Sequence, residues 1–208
     1  MKGKGPVDRR MCGWRTLAIG ALLVGVAPIC LSAQFRMSLG ARHTSTLVRD
    51  SIVTPFTVRP ALAPAAVLTF AVADREPWRA YGTADLAFSQ LQRHEADGST
   101  LDIQSLVTLS FAAELERRLF AGLDVRAGLG GLLYLTDNSG IFRLGGGGVH
   151  GVGMLGARYA LPFATGLGLS LDARYDVHRF NTRALKNAGF IEGRLVSRVT
   201  VGISRRIP

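Results

Sequence analysis

The feature that most constrains this chain is a sustained alternation of apolar and polar residues with a period of two. In "LDIQSLVTLSFAAEL", Leu101, Ile103, Val107, Leu109, Phe111, Ala113 and Leu115 share one face. Asp102, Gln104, Leu106, Thr108, Ser110, Ala112 and Glu114 share the other. "GLSLDARYDVH" sets Leu167, Leu169, Leu171, Ala173, Tyr175 and Val177 against Ser170, Asp172, Arg174, Asp176 and His178. "LDVRAGLGGLLYL" and "WRAYGTADLAFSQ" repeat the pattern. Side chains that point alternately to two faces make strands, and a helical apolar stripe is absent.

Eight such segments cover roughly residues 34–43, 61–73, 78–90, 101–115, 122–136, 147–161, 166–178 and 193–207. Most are longer than an ordinary strand of about 5–6 residues. They suit a tilted bilayer crossing, which takes ~9–11. The connections alternate as well. Long ones ("TSTLVRDSIVTPFTVRP", "LQRHEADGST", "DNSGIFRLGG", "RFNTRALKNAGFIE") are interleaved with short ones ("DREP", "ERRLFA", "PFAT"). An up-and-down membrane barrel with both ends in the periplasm has tight turns there and long loops outside. The expected fold is all-β: an eight-stranded antiparallel up-and-down transmembrane β-barrel over residues 34–208.

In a membrane every backbone group must be paired, so such a sheet has to close. Eight strands leave an interior that side chains fill. The polar face offers Arg79, Asp85, Asp102, Glu114, Asp124, Arg126, Arg158, Asp172, Arg174, Asp176, Arg194 and Arg198. Six carboxylates and six guanidiniums form a balanced set. Unpaired buried charge is costly, so these residues are expected to form a paired lumen network. In a soluble barrel binding an apolar ligand, the Leu-rich face would point inward instead. Aromatics fit the membrane reading. Trp78, Phe120 and Phe163 flank short connections, and Phe88, Phe142, Phe180 and Phe190 lie near long ones. Two girdles at the bilayer interfaces are expected from them.

Residues 1–33 read as a cleaved signal peptide: a basic start, an apolar run from Leu17 to about Leu31, and a small residue at Ala33. Both cysteines, Cys12 and Cys30, fall inside it, so the mature chain has neither disulfides nor a Cys-based metal site. Its removal lowers the formal charge from +10 to +6. That charge is spread out, without a basic and aromatic run for nucleic acid. Anionic lipid head groups are the better partner for exposed Arg.

The last segment ends "RVTVGISRRIP", with Val199, Val201, Ile203 and Ile207 on one face. It resembles the C-terminal strand signal of outer-membrane barrels, with Ile207 and Pro208 where those close on an aromatic. Across residues 34–208 the architecture resembles the small eight-stranded outer-membrane barrel proteins typified by OmpA's membrane domain and OmpX. The resemblance implies residence in an outer membrane, contact with its lipids, and insertion by the barrel assembly machinery.

"GVGMLG", Gly151 to Gly156, fits the spacing of a dinucleotide loop. Such a loop needs a following helix and an acidic partner about 20 residues on. "ARYALPF" alternates instead, so no cofactor is expected, and Gly128, Gly130 and Gly156 are read as making room for bulky lumen side chains. Gly145 to Gly148 are read as loop. The pair His43 and Ser45 in "RHTST" resembles the H-x-S of lipid A deacylase barrels, without their flanking residues. A lipid-modifying enzyme is thus the alternative to a non-enzymatic barrel with a structural or surface-interaction role. His94, His150 and His178 lack metal-ligand spacing, and no catalytic or metal residue is expected. A wide aqueous channel needs about 16 strands.

Overall fold

The computed structural model describes residues 35–50, 55–143, 148–162 and 167–207. The proposed signal peptide, Phe163 and most of the Gly145–Gly148 run lie outside them. The strands are β1 (Phe35–Thr44), β2 (Val48–Asp50), β3 (Phe56–Pro60), β4 (Ala63–Arg75), β5 (Trp78–Glu95), β6 (Thr100–Phe120), β7 (Leu123–Thr136), β8 (Val149–Ala160), β9 (Leu169–Phe180) and β10 (Arg194–Ile207). A 3-10 turn at Gly140–Phe142 and a short helix α1 (Arg183–Asn187) lie in connections.

Eight of the strands form a closed antiparallel ring, in the order β1-β4-β5-β6-β7-β8-β9-β10, with β10 back on β1. The closing register runs from Phe35 opposite Ile207 to Thr44 opposite Arg198. Gly40 faces Gly202 across this seam. A Cβ on Gly40 would sit 2.1 Å from the Val201 carbonyl oxygen, so the close approach needs glycine there.

The ring is turned inside out relative to a soluble barrel. Leu129, Leu155, Leu195 and Ile203 are exposed on its wall, while Arg42, Asp85, Asp176 and Arg198 are fully buried within it. A soluble monomer rarely exposes an apolar patch larger than a few hundred Å². A bilayer removes that cost. This excludes the soluble barrel with an apolar cavity.

Several connections differ from their expected lengths; "ERRLFA", for one, shrinks to a turn over 121–122 because β6 runs on to Phe120. β5 runs on through "LQRHE" and β6 starts one residue early, at Thr100, so the two meet at a tight turn over 96–99, where Gly98 takes a φ of +86°. Three contacts keep that segment extended. Leu91 stays buried on the inward face, Gln92 Nε2 donates to Asp102 Oδ1 at 2.9 Å, and β3 pairs with the other edge of β5. Strands β2 and β3 come from the first long connection. The result is a flap, ordered β2-β3-β5-β6, continuing past the last β4–β5 pair. Conversely, the "PFAT" connection is longer than expected, because β8 ends at Ala160 and β9 begins at Leu169.

Candidate functional site

The inward faces build a continuous ion-pair network. Arg158 Nη1 lies 2.5 Å from Glu116 Oε2, and its Nε donates to Asp172 Oδ1 at 3.1 Å. Arg126 Nη2 shares that same oxygen at 3.1 Å and places Nη1 3.6 Å from Glu114. Glu114 in turn lies 3.5 Å from Arg174. Arg174 Nε donates to Asp176 Oδ1 at 2.7 Å, and Arg198 Nη2 donates to Asp176 Oδ2 at 2.8 Å. A branch runs from Arg174 to Asp85 at 4.0 Å and on to Arg42 at 2.7 Å. Arg42 Nε also donates to Thr200 Oγ1, and Ser110 Oγ donates to Asp85. Five arginines and five carboxylates balance, drawn from every ring strand except β4, whose inward Ala63, Ala65 and Val67 are small.

Glycine makes the space for this. A Cβ on Gly156 would meet Arg126 Nε at 2.7 Å, and one on Gly128 would meet Glu114 Cγ at 2.8 Å. The void between Arg36, Arg126, Arg158 and Asp172 is about 10 Å³. That is at the lower limit of what one water occupies.

Sequence parity put Asp85, Glu114, Arg126, Arg158, Asp172, Arg174, Asp176 and Arg198 on the inward face, and all eight join the network. The other four do not. Arg79 pairs with Asp74 at the short-turn rim, and Asp124 with Arg118. Asp102 is exposed on the flap, bonded to Gln92, and Arg194 is exposed where β10 begins. Arg42 and Glu116 were missed. Both obey the parity of their strands, but Arg42 lies one residue from the end of the first expected segment and Glu116 is the first residue of the expected connection "ERRLFA".

Above the ions, towards the long connections, the interior turns apolar. Leu91, Leu106, Leu132 and Val196 come from the strands; Leu47, Phe142 and Leu185 come from the connections. Phe180 belongs here. It was expected in a girdle, but even numbering on β9 turns it inward with Asp176 and His178. It is 1 % exposed and packs against Tyr134 and Phe142, with centroids 5.2 and 5.8 Å away. Phe142 is buried as well. The other girdle residues described, Trp78, Phe88, Phe120 and Phe190, are exposed. Tyr134 Oη lies 2.7 Å from His178 Nε2, at the border between the two storeys. Thr182 caps α1 by accepting from the Leu185 N–H, and its hydroxyl donates to the Ile141 carbonyl. That bond ties two long connections together over the mouth.

The enzymatic candidates are dispersed. His43 is exposed on the outer wall. Ser45 Oγ accepts the Ser197 N–H at 3.0 Å, so it is engaged with the closing seam. His94 lies between Arg59 and Thr100 on the flap. "GVGMLG" is part of β8, with Gly151 and Gly153 outward and Gly156 inward.

No protein-family model matches the chain, and no curated protein sequence is recognisably similar to it. Solved structures are similar in fold. The crystal structure of Yersinia pestis Ail, the attachment invasion locus protein, in complex with the heparin analogue sucrose octasulfate, has a TM-score of 0.54 and 13 % identity. The match covers 85 % of this chain and 100 % of that one. The outer membrane protein OprG of Pseudomonas aeruginosa scores 0.47 at 14 % identity, over 84 % and 96 % of the two chains. With its closed ring, apolar wall and ionic interior, the chain has the fold of the small eight-stranded outer-membrane β-barrel proteins.

Proposed function

We propose that this protein is a non-enzymatic outer-membrane barrel with a surface-interaction role, exported by its first 33 residues and inserted by the barrel assembly machinery. Its lumen is plugged twice, by the ion-pair network and by the apolar mouth. The four network residues named first from sequence and lost to the rim or flap play no part in that plug.

The observation that carries the interaction role is the flap. Residues Thr100 to Ser105 of β6 pair with β5 on one side, while the β6–β7 ladder begins only at Leu106. Among the described residues the other edge of this stretch has no strand partner, and Leu101 and Ile103 beside it are exposed. A free edge of this kind accepts an extended segment of another protein as an added strand. Left bare, it is a liability that proteins normally cover.

Two measurements test the reading. Cells displaying the full chain are compared with cells in which residues 93–102 are replaced by an Asn-Gly turn, for adhesion to immobilised extracellular-matrix proteins. Loss of adhesion with an intact heat-modifiable gel shift is expected; unchanged adhesion removes the flap from the role. In planar bilayers the folded chain should give no resolved conductance steps. Acyl release from purified lipopolysaccharide would support the deacylase alternative instead.

A further inference from the structure

We propose that the outer wall beside the closing seam holds one anionic phospholipid, its phosphate on Arg205 and an acyl chain in the furrow above. This rests on the membrane-barrel reading and goes beyond it in naming a lipid class and a place.

Outward parity on β10 puts Val201, Ile203, Arg205 and Ile207 on the lipid-facing wall. Arg205 lies in register with Met37 of β1 on one side and Leu169 of β9 on the other. Along its own strand its wall neighbours are Ile203 and Ile207. An arginine is therefore surrounded by apolar side chains on all four sides. It is exposed, and none of the ion pairs or side-chain hydrogen bonds among the described residues involves it. Arginine on the lipid face is destabilising at mid-bilayer and nearly neutral close to the interface. Arg205 sits one outward position from the strand's end at the short-turn side, close to the inner interface.

Beside it is a furrow of about 610 Å³, lined by Met37, Leu39, Leu169, Ile203 and Ile207 with Arg205 and Arg206. Arg206 also lines the furrow and adds a second cation at this corner. The furrow is apolar where the hydrocarbon lies and cationic where head groups lie. A guanidinium presents a planar fork that matches two phosphate oxygens. A zwitterionic lipid offers the same phosphate with a compensating cation, so charge favours the anionic lipid.

The test uses the full mature chain folded in detergent micelles and native mass spectrometry with added phosphatidylglycerol or phosphatidylcholine. One retained phosphatidylglycerol per barrel is expected, with about fivefold preference over phosphatidylcholine, the factor given by about 1 kcal/mol per interfacial cation. Arg205→Gln should abolish the preference. Ile203→Trp should lower retention of both lipids by filling the furrow, and Arg183→Gln, on the opposite side, should change nothing. Equal binding of the two lipids by a chain that keeps its heat-modifiable shift overturns the proposal alone. So does a preference that survives Arg205→Gln. A chain without the shift overturns the barrel reading and the proposal with it.

Discussion

Asp176→Asn tests whether the lumen is the dry, paired interior described above. The carboxylate accepts Arg174 Nε at 2.7 Å through one oxygen and Arg198 Nη2 at 2.8 Å through the other, and both its own side chain and that of Arg198 are fully buried. The two arginines are not equally exposed to its loss. Arg174 keeps Glu114 at 3.5 Å and Asp85 at 4.0 Å. Arg198 has Asp176 as its one ion-pair partner among the described residues. Removing one member of a buried pair costs about 3–5 kcal/mol, mostly because it strands the other charge. The amide retains an acceptor, which places the expected loss near the lower end, ~3 kcal/mol. Urea unfolding from lipid vesicles, followed by the fluorescence of Trp78, measures it; the second tryptophan, Trp14, precedes the barrel. The double variant Asp176→Leu, Arg198→Leu removes both charges and should recover most of the loss, since apolar replacements of a buried pair are often neutral. A single variant within ~0.5 kcal/mol of the parent, the range of an ordinary surface substitution, would refute the reasoning and mean that water screens Arg198.

Gly156→Val should destabilise the barrel by about 1–3 kcal/mol in the same unfolding assay, because its Cβ overlaps Arg126 Nε. Leu129→Arg, at an exposed wall position, should cost up to ~2–4 kcal/mol in vesicles, less if that position lies near an interface. Phe142→Ala should cost about 3 kcal/mol by emptying the mouth. It should still give no conductance, because the ions below remain paired; conductance steps would show that the mouth alone seals the lumen. Ser45→Ala strips the acceptor from the Ser197 N–H and should cost about 1 kcal/mol, whereas His43→Ala should leave unfolding and lipopolysaccharide acylation, read by mass spectrometry, unchanged.

The ring was legible because period two is a covalent property of extended chain. Whoever reads Asp172, Arg174 and Asp176 on one face of "GLSLDARYDVH" has read the lumen wall of β9. What failed was the treatment of strand ends. "LQRHEADGST" carries Gln, Arg, His and Glu in sequence, a composition that looks like loop. It stays extended because β3, brought from a distant connection, supplies the missing ladder. Composition at a strand end reports solvent, not conformation. The same error hid Glu116 within "ERRLFA", and it sent Phe180 to the girdle although its parity follows His178. The apolar mouth was illegible for another reason. Leu47, Phe142 and Leu185 belong to three separate connections, and nothing local to any of them says that they converge.

Seven of the eight ladders in the ring join strands that follow one another around it in chain order. The eighth, between β1 and β10, joins residues such as Arg42 and Thr200, which are 158 positions apart. For a free chain the length-dependent entropy of closing such a loop is about 4–5 kcal/mol. The other ladders lower that cost by shaping the sheet beforehand, so closure is a late event on topological grounds. Until it happens, the sheet has two bare edges and is competent to pair with any other chain. At the middle of the seam, Gly40 and Gly202 oppose backbone to backbone, with no side chains to interlock. The step that separates a sticky open sheet from a finished barrel can therefore proceed as a zipper, without any rotamer search at its centre.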